Sequence, residues 1–274
     1  METLFFNIAV FGFFLLIIVS LIFILAQIKK DNSIMDIAYG PIFLISGLAT
    51  AYYSESFSVL TTTILVVTAI WASRLGLRIW LKNRGRDEDI RYVNWRNDWM
   101  MKGQAYFYLR SYLQINLLQG LIILLISLPL IISITFPESM NYTFLALGSV
   151  IFAFGFILES AADYQVDRFL AEKRAGTNKA NLLTTGLFRF SRRPNYFGET
   201  LIWWGMAVMV LPLPLGFLGI LSPLLITYIV TLVTGPMLEK IFLEKYGAEY
   251  AAYMKRTNYF VPGLPKTKAE SSLT

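Results

Sequence analysis

Within Ser191-Arg192-Arg193-Pro194-Asn195-Tyr196-Phe197-Gly198-Glu199, two cations, an amide, a phenol and a carboxylate fall close together. Pro194 suits the first turn of a helix, where a missing N–H costs nothing. A helix opening there sets Asn195 and Glu199 four residues apart on one face. Arg189, Arg192 and Arg193 then precede a helix amino terminus, whose free N–H groups and dipole favour an anion. That arrangement suits a phosphate-bearing or carboxylate-bearing ligand with a hydrogen-bonding ring or ribose deeper along the helix. The plainer alternative is a set of interfacial anchors, with Glu199 satisfied by one of the arginines.

Glu159, Asp163 and Asp167 recur at four-residue intervals, and like charges so placed repel unless something neutral or cationic lies against them. Ribose hydroxyls, an amide or the arginines above would serve; an internal ion-pair network is the competing reading. Arg74 and Arg78 form a basic pair at the end of an apolar run, where snorkelling to headgroups is the default. Asn83-Arg84-Gly85-Arg86 and Glu88-Asp89-Ile90-Arg91-Tyr92 suit either a polyanionic ligand or a salt-bridged loop. Tyr246, Tyr250 and Tyr253, interleaved with Lys240 and Lys245, fit aromatic anchoring at a membrane interface. Asp36, with Tyr39 and Gly40 one turn on, reads as a capping or paired carboxylate, or as part of a substrate pocket.

Lipid is the solvent in which the elements holding these groups must fold. The chain of 274 residues is 56% hydrophobic and 15% charged, against about 25% charged in soluble domains. Its apolar residues come in unbroken runs of the length that hydrocarbon demands, where a helix satisfies its own backbone. Seven spans are expected, at Leu4–Ile28, Ile34–Tyr53, Phe57–Leu81, Ile115–Phe136, Tyr142–Leu158, Phe197–Leu211 and Leu215–Leu238. All 24 basic residues then fall on alternate connections, which the positive-inside rule assigns to the cytosol. This puts the amino terminus outside, the carboxyl terminus in the cytosol and the polar chemistry on the cytosolic face. The net charge of +6 needs no nucleic acid, since anionic inner-leaflet lipid accounts for it. With no Cys and no His, thiolate, haem, iron–sulfur and imidazole chemistry are excluded, and no metal site is expected. The expected organisation is one membrane domain: residues 1–136 on the substrate side, 137–262 as a cofactor-binding half, and 263–274 as a mobile tail. A helix is expected to continue from Glu239 to Met254.

The stretch Gly186-Leu187-Phe188-Arg189-Phe190-Ser191-Arg192-Arg193-Pro194-Asn195-Tyr196-Phe197-Gly198-Glu199, followed by Trp203-Trp204-Gly205, resembles the signature of the DUF1295 family of steroid 5-alpha-reductase-like membrane proteins. Arg74-Leu75-Gly76-Leu77-Arg78, Glu159 with Ala162-Asp163, Leu238-Glu239-Lys240 and Phe260-Val261-Pro262 agree in order. The resemblance implies an all-α, seven-helix reductase that binds NADPH in a cytosol-facing cavity and reduces a carbon–carbon double bond of a steroid-like or other lipid. It implies Asn195 and Glu199 at the nicotinamide, and Asp163 and Glu159 on the nucleotide. Arg86, Arg189 and Tyr246 would lie near the phosphates, with Arg78, Arg91, Arg193 and Tyr196 completing the cofactor set. Tyr39, Tyr92 and Glu199 are the candidates for proton donor or ketone polariser.

Two departures bear on that reading. Arg193 stands where the family usually has His, and the Gln-Glu pair with which steroid reductases polarise a ketone is missing. Related membrane methyltransferases use a similar Arg-His-Pro-x-Tyr element for S-adenosylmethionine, and a non-enzymatic lipid-binding protein is a further alternative. The short chain favours a bacterial inner membrane, and no protein partner is evident.

Overall fold

Long apolar runs leave the backbone no partner but itself, and the computed structural model, which describes residues 1–265, is built from helices accordingly. They are α1 (Glu2–Lys29), α2 (Ile34–Tyr53), α3 (Val59–Asn83), α4 (Ile90–Met100), α5 (Gln104–Ile126), α6 (Leu128–Thr135), α7 (Tyr142–Arg174), α8 (Pro194–Val210) and α9 (Gly216–Arg256). No strand occurs among the described residues. Six of these helices, α1, α2, α3, α5, α7 and α9, are long and apolar enough to cross a membrane. The seventh expected span is α8, of 17 residues and so roughly 25 Å long. The chain is an all-α, polytopic membrane protein.

Three elements differ from the expected spans. The run Ile115–Phe136 is broken at Ser127, where Pro129 in the first turn of α6 forbids a continuous ladder. The Tyr142–Leu158 span does not stop at its apolar end but continues to Arg174. The terminal helix is kinked at Gly247, whose φ of 52° and ψ of −126° lie outside helical space and suit glycine. Of the expected tail, residues 266–274 lie outside the described residues.

The chain divides into two compact units, described here in turn. The first comprises Met1–Leu145 and Met209–Ser222. Every residue of α6 is buried in it. Polar groups that enter its apolar interior are matched: Asn7 donates to Thr135 Oγ1 at 3.1 Å, and Thr61 donates to the Ser133 carbonyl at 2.9 Å. A π-helical turn at Ser111–Leu117 interrupts α5.

The second unit comprises Ala146–Val208 and the chain from Pro223 onward. Here α7 and α8 meet backbone to backbone through glycines seven residues apart on each helix, Gly148 and Gly155 against Gly198 and Gly205. A Cβ on Gly198 would stand 2.6 Å from the Glu159 amide nitrogen, and one on Gly205 2.6 Å from the Gly148 carbonyl. Small residues permit this approach, which is how helices pack when lipid removes the hydrophobic drive between them.

Candidate functional site

Helix α8 opens at Pro194, so Asn195 and Glu199 occupy its first two turns. The Gly155–Gly198 approach brings this turn against the part of α7 that carries Glu159 and Asp163. Both carboxylates are buried, at 5% and 4% exposure, while Asn195 and Glu199 are half-buried. Asn195 Nδ2 reaches Asp163 Oδ1 at 3.4 Å, the long end of a hydrogen bond. Tyr196 lies within electrostatic reach of Arg193, Glu199 and Asp163. The structure thus gathers Asp163, Arg193, Asn195, Tyr196 and Glu199 at the start of one helix, with Glu159 on the facing turn of α7.

The two arginines before Pro194 divide. Arg192 is buried, donating from Nε to Glu239 Oε1 at 3.2 Å and from its second terminal nitrogen to Oε2 at 2.7 Å. Its remaining terminal nitrogen donates to the carbonyls of Met254 and Thr257, at 3.1 and 2.6 Å. Tyr250 completes the clamp, its hydroxyl donating to Glu239 Oε1 at 2.6 Å, and the Tyr253 hydroxyl donates to the Phe188 carbonyl. Ser191 and Arg192 are laced to the segment after α9: the Arg192 amide donates to the Asn258 carbonyl, and Ser191 Oγ donates to the Phe260 carbonyl at 2.8 Å.

Arg193 has no such partners. Its guanidinium lies 4.9 Å from the ring centre of Phe242 and 5.8 Å from that of Tyr196, held by cation–π attraction. Nε and one terminal nitrogen are buried and meet no hydrogen-bond acceptor among the described residues. A guanidinium carries five donors and cannot shed its charge, so an anion is the chemistry that satisfies it. The start of α8 supplies further free N–H groups of the same preference.

Of the other expected residues in this unit, Arg189 is exposed, and Tyr246 is half-buried with its ring 5.9 Å from Phe242. The surface role expected of Tyr250 and Tyr253 needs correction. Both are buried and hydrogen-bonded inside the clamp. Residue types and spacing missed the clamp because Arg192 and Glu239 are 47 positions apart, and nothing in either segment distinguishes Arg192 from Arg193.

The remaining expected residues belong to the first unit. Tyr92 on α4 is 3% exposed and donates to Asp36 Oδ1 on α2 at 2.6 Å. Arg91 donates to Asp36 Oδ2 at 3.3 Å and to Asp89 at 3.0 Å, so it serves two carboxylates. Burial, then the Asp36 carboxylate, push the Tyr92 phenol well above its ordinary pKa, which keeps it a donor. Burial works against the Asp89 carboxylate, but hydrogen bonds from Arg91 outweigh it and hold Asp89 below the usual carboxylate value. Gln119 on α5 stands beside Tyr92 and Asp36 and had no part in the expected site. Tyr39 and Arg78 are half-buried, and Arg86 is exposed. Glu88 links the α1–α2 turn to α4, accepting from Arg96 at 2.8 Å and from the Asn32 amide at 2.7 Å. No grouping of metal-ligating residues exists among the described residues.

A family model described as a protein of unknown function, DUF1295, matches residues 22–257. An uncharacterized protein of Schizosaccharomyces pombe is 27% identical over 272 aligned residues, covering 87% of this chain and 73% of the relative. No solved structure matches.

Proposed function

We propose, from the premise that this chain belongs to the DUF1295 family, that it is a membrane-embedded reductase which binds NADPH and reduces a carbon–carbon double bond of a steroid-like or other lipid. The observation that carries the reading is Arg193: a caged cation with buried, unsatisfied donors just before a helix amino terminus. Such a group suits a phosphate, and the amide and carboxylates immediately beyond it suit a carboxamide and ribose. The residues therefore fit a dinucleotide. When bound, NADPH would supply hydride, which needs neither metal nor thiol from a chain without Cys or His.

Arg193 would hold phosphate oxygen, with Arg189 and Tyr246 as outlying contacts. Asn195 and Glu199 would orient the nicotinamide carboxamide, and Glu159 and Asp163 would accept from ribose hydroxyls or the Asn195 amide. In the first unit, the Tyr92 phenol, oriented by Asp36, is our candidate for polarising a substrate carbonyl and delivering the proton. A carboxylate from the second helix paired with a tyrosine would replace the missing Gln-Glu pair. The asymmetry of basic residues supports a cytosolic face for this chemistry. The substrate, being apolar, would enter from the bilayer.

The test is NADPH and S-adenosylmethionine binding to the detergent-purified protein, beside Arg193→Gln, Asn195→Ala and Glu199→Ala. Tight NADPH binding weakened in all three supports the proposal. Absence of NADPH binding, or S-adenosylmethionine bound in its place, overturns it.

A further inference from the structure

A second polar cavity lies in the same unit, of about 430 Å³, within the range of small-molecule sites. Gln165, Arg168, Phe169 and Glu172 line it from α7, and the loop 178–186 forms its other wall. Those four residues follow the spacing of one helix stripe. Two residues on a helix turn through about 200°, so the stripe beginning at Gln165 lies nearly opposite Asp163 on α7. Glu159 and Asp163 are buried, and α8 approaches at Glu159 through Gly198. The cavity is therefore separate from the site already described, and nothing in the proposed reductase chemistry uses it.

Its charges define what it would take. Both oxygens of Glu172 are occupied, accepting from Arg168 Nε at 2.8 Å and from Asn178 Nδ2 at 3.1 Å. The two terminal nitrogens of Arg168 are not needed for that bond, and they form the fork that matches a phosphate. Lys173 sits 5.9 Å from the ring centre of Phe169, and Lys179 lies between two lining residues. With Glu172 neutralised by Arg168, the surplus at this recess is cationic. Phe169 and Leu182 add an apolar side to the same cavity. The loop wall is fastened at its far end, where Gln165 Oε1 accepts from the Leu187 amide at 2.9 Å. Gly186, at φ 61°, lies so close to that amide group that a side chain there would collide with it.

We propose that this recess is a phosphate-binding site: Arg168 would take the phosphate, supported by Gln165 Nε2 and the threonine hydroxyls of the loop. Phe169 and Leu182 would cover the apolar remainder of an amphiphilic phosphate ester. The phosphate comes either from a lipid headgroup or from a soluble compound, and the proposal does not rest on the reductase reading.

The experiment uses the full chain in phosphatidylcholine nanodiscs, with hydrogen exchange followed in the segment 176–187. One arm adds inorganic phosphate; the other replaces a fifth of the lipid by phosphatidic acid (roughly that share suffices to populate a lipid site). Slower exchange of this segment in either arm, lost at least tenfold in apparent affinity in Arg168→Gln and two- to threefold in Lys179→Gln, supports the site and names the source. Unchanged exchange in both arms overturns it. An equal response to sodium chloride at matched ionic strength also overturns it, as does a parallel loss of NADPH binding in Arg168→Gln, which would make the recess part of the cofactor site.

Discussion

Arg192 commits its donors to Glu239, Met254 and Thr257, whereas Arg193 lies between Phe242 and Tyr196 with two buried nitrogens that no hydrogen bond reaches. The two are adjacent, equally charged and held by the same turn. What separates them is the acceptor set: a carboxylate and two carbonyls face the first, and aromatic faces meet the second. A ring holds a cation in place without using up its N–H groups. The first arrangement ties α9 and the following segment to the turn before α8, and the second leaves a charge ready for a ligand.

Breaking the first arrangement has the largest expected effect. Arg192→Gln leaves Glu239 buried without its counter-charge, which costs about 3–5 kcal/mol. The expected result is a large fall in the thermal unfolding midpoint in detergent, whether or not ligand is present. Arg193→Gln is the contrasting variant. Its midpoint without ligand should stay close to that of the native chain, because no hydrogen bond is lost, while NADPH affinity falls at least tenfold. Equal destabilisation by both variants would erase the distinction.

Gly198→Ala attacks the contact that positions both. An added methyl 2.6 Å from the Glu159 amide must push α7 and α8 apart, at about 1–3 kcal/mol for overpacking of this kind. A modest loss of thermal stability should accompany weakened cofactor binding. A neutral Gly198→Ala would mean the two helices adjust freely and the glycine contact is not what sets the site.

How far the sequence foretold this depends on the range of the interaction. The helices were legible because hydrocarbon demands long apolar runs, and α1 to α3 fall close to the expected limits. Asn195 and Glu199 were legible because Pro194 marks a helix start and the four-residue spacing is local. The break at Ser127 was hidden because Pro129 tolerates either a kinked helix or a new one. The Arg192–Glu239 clamp and the Tyr92–Asp36 bond join residues 47 and 56 positions apart, and no local pattern encodes such a meeting. Exposure misled in the same way. A tyrosine stripe beside lysines looks interfacial until Glu239 is seen behind Tyr250.

Tyr92→Phe carries the comparison into the first unit, where a phenol is the committed donor. Removing the hydroxyl leaves Asp36 with Arg91 and should cost about 1.5–3 kcal/mol, as hydrogen bonds to charged groups do. Under the proposed function, turnover should drop more than tenfold while NADPH affinity holds. Unchanged turnover would remove Tyr92 from the chemistry.

Arg193→His sharpens the contrast through pH. Guanidinium stays charged at every working pH, so the site's cation does not titrate in the native chain. A histidine there would be held in its charged form by the bound anion, so its pKa rises on binding and the added affinity is present at low pH. That affinity is lost as pH rises through the shifted pKa. NADP⁺ affinity of the variant relative to the native chain should fall roughly tenfold between about pH 5.5 and pH 8. A constant ratio would show that residue 193 does not meet the ligand's charge.

The smallest effect belongs to the exposed counterpart of the buried clamp. Arg91 binds Asp89 with 56% and 37% of their side chains open to solvent, against 9% and 11% for Arg192 and Glu239. Water screens such a pair, and exposed pairs contribute about 0.2–1 kcal/mol. Asp89 also caps α4 by accepting from the Arg91 amide at 2.9 Å. Asn caps a helix as well as Asp does, so Asp89→Asn should preserve the cap and remove only the charge. Because the folded pKa of Asp89 is depressed, its contribution is complete above the ordinary value of 3.8 and disappears as pH falls through the folded value. Native chain and Asp89→Asn should therefore differ slightly in unfolding midpoint at pH 7 and converge below pH 3.8. A gap at pH 7 as large as that of Arg192→Gln would mean that exposure does not decide what an ion pair is worth in this protein.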